Sequence, residues 1–264
     1  MKKKRIDLLL VDRGLAESQD MAQRFVMAGE VRVNGEMIHK SSTRVAEDAR
    51  IDLAKRPKFV SRGGMKLAAA INAFDVEVKG KVCSDVGAST GGFTDCLLQN
   101  GAEKVYAIDV GYGLLNWRLR RDPRVIVMER INARYLEALP EPVQLVTIDA
   151  SFISLSLILE AVKGWFTDQQ GTTIALIKPQ FEAERKVSAV HAGVIKDDAV
   201  LTMVLMETLA DAVSLGFYPQ GVIPSPIRGP KGNVEFLVNL NLQDSMTESE
   251  IQVMIARAVQ NKPD

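Results

Sequence analysis

The stretch Asp85-Val-Gly-Ala-Ser-Thr-Gly-Gly-Phe-Thr94 decides how this chain is expected to fold. It begins at the end of the strand predicted at Lys81–Val86, and it leads into helical spacing near 92–100. Glycines between a strand and a helix let the backbone turn sharply and come close to a ligand. The stretch therefore predicts an α/β sheet with a ligand at the carboxyl ends of its strands.

Strand-like and helix-like runs alternate on both sides of this loop, after a helix predicted at Met65–Phe74. Such alternation predicts a mostly parallel sheet with helices on both faces. Two runs near 218–224 and 234–241 have no helix between them, so we expect an antiparallel pair at one edge of a seven-stranded, Rossmann-like sheet. The remaining strands are expected at Lys81–Val86, Val105–Asp109, Val125–Met128, Val143–Asp149 and Thr172–Lys178, and the helices near 92–100, 112–121, 155–166 and 197–215.

The glycine-rich loop also predicts a cofactor site. Its spacing, Gly87-x-x-x-Gly91-Gly92, differs from the G-x-G-x-x-G of dinucleotide-binding proteins. Asp109 ends the next strand, where an acid can accept hydrogen bonds from ribose hydroxyls, in NAD as well as in S-adenosylmethionine. The loop spacing favours S-adenosylmethionine. The predicted contacts are Asp85, Gly87, Ala88, Ser89, Thr90, Gly91, Gly92, Phe93, Thr94, Asp109 and Asn132, the last of which is equally well explained as a cap.

Four ionisable residues stand where such a sheet exposes its active edge. Lys66 lies on the helix before the first strand, Asp149 and Lys178 end the fourth and fifth strands, and Glu235 starts the last one. Charged residues at strand ends beside a cofactor crevice are more often functional than not. The alternative for each is the role of a structural ion-pair partner.

The first sixty residues predict a small α+β unit. A helix from Arg5 to Arg13 stops at Gly14, a second helix runs from Ser18 to Gly29, and Asn34-Gly35 favours a type I′ hairpin. This order resembles the S4 RNA-binding module, which implies binding of structured RNA through shape and phosphate contacts. The resemblance rests on Arg5-x-Asp7, Gly14, Ser18, Ala22, Gly29, Val31 and Val33-Asn34-Gly35, and the basic residues expected to contact RNA are Arg5, Arg24, Arg32, Lys40 and Arg44.

Charge is distributed unevenly along the chain. Residues 1–66 contain 15 Lys or Arg against 9 Asp or Glu, whereas the remainder contains 18 against 24, so that the formal net charge is zero. A basic front half favours contact with a polyanion; a structural cap with a solvated basic surface is the alternative. The linker Lys55-Arg56-Pro57-Lys58 divides the chain into predicted domains at 1–60 and 61–264.

Several classes of protein are disfavoured by the composition. Cys83 and Cys96 form no CxxC motif and no cluster with histidine, so neither a metal site nor a disulfide framework is expected. The apolar run Leu8–Val11 is too short for a signal peptide, and no later stretch reaches the length of a membrane span. The expected location is the cytoplasm, and the oligomeric state stays open.

The motifs in this order closely resemble the TlyA family, in which an S4 module precedes an FtsJ-like methyltransferase domain. The resemblance covers nearly the whole chain, and its tetrad Lys66, Asp149, Lys178 and Glu235 is similar to the Lys-Asp-Lys-Glu set of FtsJ-like ribose methyltransferases. It implies S-adenosylmethionine-dependent 2′-O-methylation of cytidine in ribosomal RNA, although members are also labelled hemolysins. The motifs are Ser61-Arg-Gly-Gly-x-Lys66-Leu, the glycine loop, Asp149-x-Ser-Phe-Ile-Ser154 and Lys178-Pro-Gln-Phe-Glu182.

The residue types suit this chemistry, because a ribose hydroxyl must lose its proton as it attacks. Lys178 is the expected general base or stabiliser of the developing alkoxide, and Lys66 is expected to orient the hydroxyl. The two acids are expected to hold the lysines in place. The sequence leaves open the protonation state of Lys178, and it does not show which nucleotide or which ribosomal subunit is modified.

Other functions fit less well. An amino-methylating enzyme would carry two prolines after the acid at Asp149, and a cytosine C5 enzyme needs a thiol at the strand ends, whereas Cys83 lies within a strand and Cys96 on a helix. An NAD-dependent oxidoreductase leaves the two lysines without a role. A pore-forming hemolysin would need a membrane-spanning segment, and no stretch of the sequence predicts one. A non-catalytic RNA-binding assembly factor would not need all four tetrad residues.

Overall fold

A computed structural model describes residues 2–53, 57–167, 171–186, 194–229, 231–243 and 246–263. The chain divides into two compact units, Met1–Lys58 and Phe59–Asp264, and each has a hydrophobic core of its own. Of the predicted linker, Lys55 and Arg56 lie outside the described residues. No helix in the described ranges is both long enough and apolar enough to cross a bilayer.

The first unit is a small α+β structure in which β2 lies between β3 and β5 and β1 pairs with β4. Ser18 caps the second helix, since its Oγ accepts a hydrogen bond of 3.2 Å from the amide of Met21. Asn34 and Gly35 both have positive φ, as the hairpin turn requires. The elements are β1 (Lys3–Arg5), α1 (Ile6–Asp12), α2 (Gln19–Met27), β2 (Val31–Val33), β3 (Glu36–Met37), β4 (Arg44–Ala46) and β5 (Ile51–Leu53).

The sequence patterns do not predict β1, β4 or β5. Each of these strands has three residues, which is shorter than the alternation by which a strand is recognised. The helix expected to start at Arg5 starts at Ile6 instead, because Arg5 is the last residue of β1.

The second unit contains the glycine-rich loop, which lies between a strand and a helix as predicted. The unit is formed by α3 (Gly63–Ala73), β6 (Val82–Val86), α4 (Gly92–Gln99), β7 (Lys104–Asp109), α5 (Trp117–Arg120), β8 (Val125–Glu129), β9 (Leu145–Ile148), α6 (Leu155–Val162), β10 (Thr172–Ile177), α7 (Pro179–Lys186), α8 (Asp198–Ser214), β11 (Tyr218–Pro224), β12 (Phe236–Asn241) and α9 (Glu248–Gln260), with 3-10 turns at Ala133–Tyr135 and Lys163–Trp165.

Seven strands form one mixed sheet in the order β11-β12-β10-β9-β6-β7-β8. The five strands from β10 to β8 are parallel, and β12 is antiparallel to both of its neighbours. This confirms the predicted Rossmann-like sheet with an antiparallel pair at one edge. The strand order reverses between β6 and β9, and a crevice at that reversal is where ligands bind in open α/β sheets.

Helices cover both faces of the sheet, as the alternation along β9 illustrates. Leu145 packs in the cluster that contains Leu67 of α3 and Leu97 of α4. Its neighbour Val146 packs in the other cluster, which contains residues of α6, α8 and α9. Because successive side chains of a strand point to opposite faces, this division places α3 and α4 on one face and the later helices on the other.

Three helices differ from expectation. Helix α5 has four residues in place of the run near 112–121, because Asn116 caps it and Gly113 with positive φ precedes it. The patterns do not predict α7, in which Pro179 occupies the first position, a place that proline tolerates in a helix. The sequence patterns do not predict α9 either, although its capping box, Thr247 with Glu250, is visible in the sequence.

Candidate active site

The glycine-rich loop has backbone conformations that few other residues could adopt. Gly87, Ser89 and Gly91 have φ values of 82°, 49° and 95°. A Cβ atom on Gly87 would lie 2.6 Å from the carbonyl oxygen of Asp149, and one on Gly92 would lie 2.8 Å from the amide nitrogen of Gly64. The loop thus packs against two other segments at distances that only glycine permits.

Asp109 fixes the same loop through its carboxylate. Oδ2 accepts a hydrogen bond of 2.7 Å from the amide of Ser89, and Oδ1 accepts one of 2.7 Å from the amide of Gly111. Because a carboxylate has about four acceptor positions, two remain for a ligand. Asp109 therefore ties the loop to the end of β7 and still presents acceptors to the crevice.

Two adjoining clefts open at this edge of the sheet. The larger, of about 670 Å³, has the size of a small-molecule site and lies between the loop, the ends of β7 and β8, and the segment after β9. The smaller, of about 230 Å³, lies between the loop and the start of α3. Gly87, Ser89 and Asp149 line both clefts.

The predicted cofactor contacts divide into two groups. Asp109 and Asn132 line the larger cleft, and Ala88, Thr90, Gly92 and Phe93 line the smaller one. Asn132 is also a cap, since its Oδ1 accepts a hydrogen bond of 3.1 Å from the amide of Arg134. The three that line neither cleft are Asp85, Gly91 and Thr94; for Gly91, a Cβ atom would point at the side chains of Leu115 and Leu119.

Asp85 supports the loop from the protein interior. It is fully buried, and its Oδ2 accepts hydrogen bonds from the amide (2.8 Å) and hydroxyl (2.6 Å) of Thr94 in the first turn of α4. Burial raises the pKa of Asp85 to about 7, and the negative charge of Asp149 adds to the rise. Asp85 therefore positions the loop through Thr94 and lines neither cleft.

This burial makes stability depend on pH in a direction opposite to that of most carboxylates. Between the ordinary pKa of an aspartate, about 4, and about 7, the folded chain binds a proton at Asp85 that the unfolded chain does not. Stability should therefore fall as pH rises through this window. We expect Asp85→Asn to lack this component in denaturant titrations at pH 5 and pH 8. An identical pH dependence in both proteins would contradict the assignment.

The four tetrad residues form two ion pairs. Lys66 Nζ lies 2.6 Å from Oε2 of Glu235, and both side chains are buried. Lys178 Nζ lies 2.6 Å from Oδ1 of Asp149. Lys66 and Asp149 both line the smaller cleft, so the two pairs meet at the cleft that also borders the glycine-rich loop.

The Lys66–Glu235 pair is a stability element as well as part of the site. Removing one member of a buried pair leaves an uncompensated charge, which costs about 3–5 kcal/mol. We expect Glu235→Gln to lower the free energy of unfolding by about 3 kcal/mol. The double variant Lys66→Met with Glu235→Leu should recover most of it, because both charges are then absent.

Denaturant unfolding checks this expectation. The matched control is Asp198→Asn, which breaks the more exposed pair of Asp198 with Lys262 and should change stability by less than about 1 kcal/mol. Equal effects of Glu235→Gln and Asp198→Asn would show that the tetrad pair is not buried from solvent in solution.

Two residues that the sequence reasoning missed hold Lys178 and the segment after Asp149 in place. Lys178 Nζ lies 2.8 Å from Oγ of Ser151, so that Lys178 has two oxygen partners, Ser151 and Asp149. Glu182 is buried, and its carboxylate accepts hydrogen bonds of 2.9 Å each from the hydroxyl of Ser154 and the amide of Leu155. Both residues stand inside the quoted motifs, and that position was the signal available in the sequence.

The loop after β9 is thereby fastened at both ends to residues 178–182, which contain the first turn of α7. Lys178 binds its start and Glu182 binds its end. Between them Phe152 has a φ of 64°, and its ring packs against that of Phe181 with centroids 4.7 Å apart. Such a conformation is unfavourable for a bulky residue, and the flanking contacts hold it in place.

The predicted RNA-contacting residues of the first unit have different environments. Arg24, Arg32, Lys40 and Arg44 are exposed. Arg5 instead donates to the buried carboxylate of Asp7 at 2.8 Å and 3.1 Å, and this interaction lowers the pKa of that carboxyl well below its usual range. Arg24 pairs with Asp20 on α2, and Arg32 donates to the carbonyl of Gly35 at 3.1 Å.

Neither cysteine has the environment of a nucleophile. Cys83 and Cys96 are both buried, and burial raises the pKa of the Cys83 thiol to about 12. No group of three metal-ligating side chains occurs in the part of the chain that the structure describes.

The second unit has the architecture of a Rossmann-like methyltransferase. It combines that strand order with an antiparallel pair at one edge and a glycine-rich loop where the strand order reverses. The FtsJ-like methyltransferase family model matches residues 59–242, and the S4 domain model matches residues 4–51. The chain belongs to the TlyA family of FtsJ-like methyltransferases, as its resemblance predicted.

Three similar proteins illustrate this membership. The chain is 40% identical to the 16S/23S rRNA (cytidine-2′-O)-methyltransferase TlyA of Mycobacterium tuberculosis, over 98% of both chains. A solved structure from Streptococcus thermophilus, named a candidate hemolysin, is 40% identical, with a TM-score of 0.72 over 98% of this chain and 97% of that one. A solved structure from Listeria monocytogenes, named a candidate S-adenosylmethionine-dependent methyltransferase, shares the fold at 16% identity, with a TM-score of 0.50 over 68% of this chain and 100% of that one.

Proposed function

We propose that the protein transfers a methyl group from S-adenosylmethionine to the ribose 2′-hydroxyl of a cytidine in ribosomal RNA. The observation that carries this proposal is the pairing of Lys178 with Asp149 and of Lys66 with Glu235 beside the glycine-rich loop. The name of the tuberculosis relative supports the choice of cytidine and of ribosomal RNA.

The clefts fit the proposed cofactor. The larger one combines the apolar side chains of Ile108, Leu114 and Ile131 with the acceptors of Asp109, as the base and ribose of a nucleoside require. When bound, the cofactor supplies an electrophilic methyl group on a sulfonium. Backbone groups of the loop at Gly87 and Ser89 line the junction with the smaller cleft.

The protein's own part in the reaction is to hold and activate the hydroxyl. Lys178 Nζ is oriented by Asp149 and Ser151, at 2.6 Å and 2.8 Å. It accepts the hydroxyl proton or stabilises the developing negative charge as the oxygen–carbon bond forms and the sulfur–carbon bond breaks. Lys66, held by Glu235, orients the same hydroxyl and lines the smaller cleft together with Asp149.

Mapping the methyl group tests the proposal. The protein is incubated with labelled S-adenosylmethionine and ribosomal subunits that lack the modification. A 2′-O-methyl group blocks alkaline cleavage of the adjacent phosphodiester, so the product should show a gap in the hydrolysis ladder at a cytidine. A label on a base would contradict ribose methylation, and RNA binding without label would favour a non-catalytic assembly factor.

The first unit is proposed to supply much of the RNA affinity, through its exposed basic residues. We expect the variant Arg24→Gln, Arg32→Gln, Lys40→Gln to bind ribosomal RNA more weakly and with a flatter salt dependence. Each phosphate that is no longer neutralised reduces the slope of log affinity against log salt by about 0.7–0.9. Neutral replacements are chosen because Asp20 already stands beside Arg24.

The measurement is RNA affinity at several salt concentrations, in the full-length protein. Arg257→Gln, at an exposed position of α9, is the matched control and should leave the slope unchanged. An unchanged slope in the triple variant would show that the first unit is a structural cap and that the affinity comes from elsewhere in the chain.

A further inference from the structure

An exposed surface of paired aromatic and arginine side chains lies on the second unit. Its three aromatic residues, Tyr112, Trp117 and Tyr135, are 69%, 63% and 71% exposed. Each has a guanidinium over its ring, with Cζ-to-centroid distances of 4.2 Å, 5.3 Å and 5.4 Å in the same order. The aromatic–arginine surface consists of these three residues together with Arg130, Arg121 and Arg134.

This surface is fixed beside the larger cleft. It is formed by the segments that follow β7 and β8, whose residues Val110, Leu114 and Arg134 also line that cleft. The two segments are joined to each other, because the amide of Gly113 donates to Oε1 of Glu129 at 2.9 Å. A molecule bound to this surface therefore lies next to the proposed cofactor site.

The surface is a positive region in an otherwise acidic part of the chain. Residues 110–135 contain six arginines and two acids, whereas the rest of residues 67–264 contains 12 Lys or Arg against 22 Asp or Glu. The two acids, Asp122 and Glu129, are paired with Arg124 and Arg120. The other four arginines form no ion pair among the described residues and are exposed: Arg118, Arg121, Arg130 and Arg134.

Stacking surfaces combined with free positive charge match one kind of partner best. Single-stranded RNA offers unstacked bases, which stack on aromatic rings and guanidinium planes, together with phosphates. An anionic membrane would also attract arginine and tryptophan, but interfacial binding uses a long amphipathic helix. The helix here, α5, has four residues.

We propose that the aromatic–arginine surface binds an unpaired strand of the substrate RNA next to the nucleotide to be methylated. This inference rests on the proposed function and names the structural class of its substrate: a loop, bulge or flipped-out region in place of a continuous duplex. Placed beside the cleft, the surface holds the strand after unstacking and so presents a ribose hydroxyl to Lys178.

The test uses full-length protein with Tyr112→Ala, Trp117→Ala, Tyr135→Ala or Arg121→Ala. Each aromatic replacement should raise the KM for ribosomal subunits lacking the modification about fivefold or more, since base stacking contributes ~1–3 kcal/mol per base. Affinity for S-adenosylmethionine, measured by calorimetry, should not change. Arg121→Ala should also lower the salt slope for binding an unpaired RNA oligonucleotide by about 0.7.

Matched controls and two further probes separate the outcomes. Val253→Ala and Arg257→Ala change exposed residues of α9 and should leave every value unchanged. Duplex RNA should bind equally to all variants, and vesicles of anionic phospholipid should bind to none.

Two outcomes would overturn the inference if the wild type still methylates RNA. One is an unchanged KM in the aromatic variants. The other is binding of the wild type to vesicles that these variants abolish. Absence of methylation by the wild type would instead refute the proposed function. The oligonucleotide comparison would then still decide whether this surface binds RNA.

Discussion

Lys178→Met is expected to slow methyl transfer by about 10²–10⁴-fold, the usual contribution of a positioned acid–base group, while affinity for S-adenosylmethionine stays within about twofold. The reason is geometric. Lys178 Nζ contacts Asp149 and Ser151, whereas the residues that line the larger cleft do not include Lys178. Methionine keeps the length of the side chain, so packing around α7 is preserved while the nitrogen is absent.

Single-turnover methylation of ribosomal subunits and calorimetry with S-adenosylmethionine measure the two quantities separately. Lys262→Met is the matched control, because Lys262 also forms an ion pair, with Asp198, but lies outside the site. A nearly normal rate in Lys178→Met would reduce Lys178 to a structural partner of Asp149. Weakened cofactor binding would mean that the lysine serves the sulfonium side of the reaction.

Gly87→Ala is expected to weaken S-adenosylmethionine binding by about tenfold to a hundredfold, which corresponds to about 1.4–2.8 kcal/mol, because the added Cβ displaces the loop. Gly87 has a positive φ, and an added Cβ would meet the carbonyl oxygen of Asp149 at 2.6 Å. This neighbour is backbone, so relief requires that the loop or the end of β9 move. Either movement disturbs both clefts, which share Gly87 and Asp149.

Gly80→Ala separates the clash from the strain. Gly80 has a φ of 72°, close to the 82° of Gly87, but a Cβ atom there would meet nothing within 4 Å. Both variants should lose stability from the unfavourable φ, and only Gly87→Ala should lose cofactor affinity in calorimetry. Equal affinities in the two variants would mean that close approach of the loop to Asp149 is not needed for binding.

The sequence was most informative where function and local conformation depend on the same residues. The glycines of the loop and Asp109 predicted the strand, the turn and the position of the clefts together. Asn34-Gly35 predicted the hairpin for the same reason, because positive φ is a local requirement. The tetrad could be named because of its positions along the chain. Asp149 and Lys178 directly follow strands, Glu235 directly precedes β12, and Lys66 lies on the helix before the first strand of the large sheet.

The sequence was least informative about partners that lie far apart along the chain. Nothing local shows that Lys66 pairs with Glu235, 169 residues away, or that Glu182 caps the helix that starts at Leu155. Such pairings depend on the tertiary fold, and hydrophobic periodicity does not predict them.

In the proposed reaction, the shared position of Asp149 should couple the binding of S-adenosylmethionine to the binding of RNA. Its backbone lies against the cofactor loop at Gly87, and its side chain holds Lys178. Filling of the cofactor cleft should therefore restrict the lysine before RNA arrives, and docked RNA should in turn steady the loop. By thermodynamic reciprocity, the factor by which cofactor tightens RNA binding must equal the factor by which RNA tightens cofactor binding.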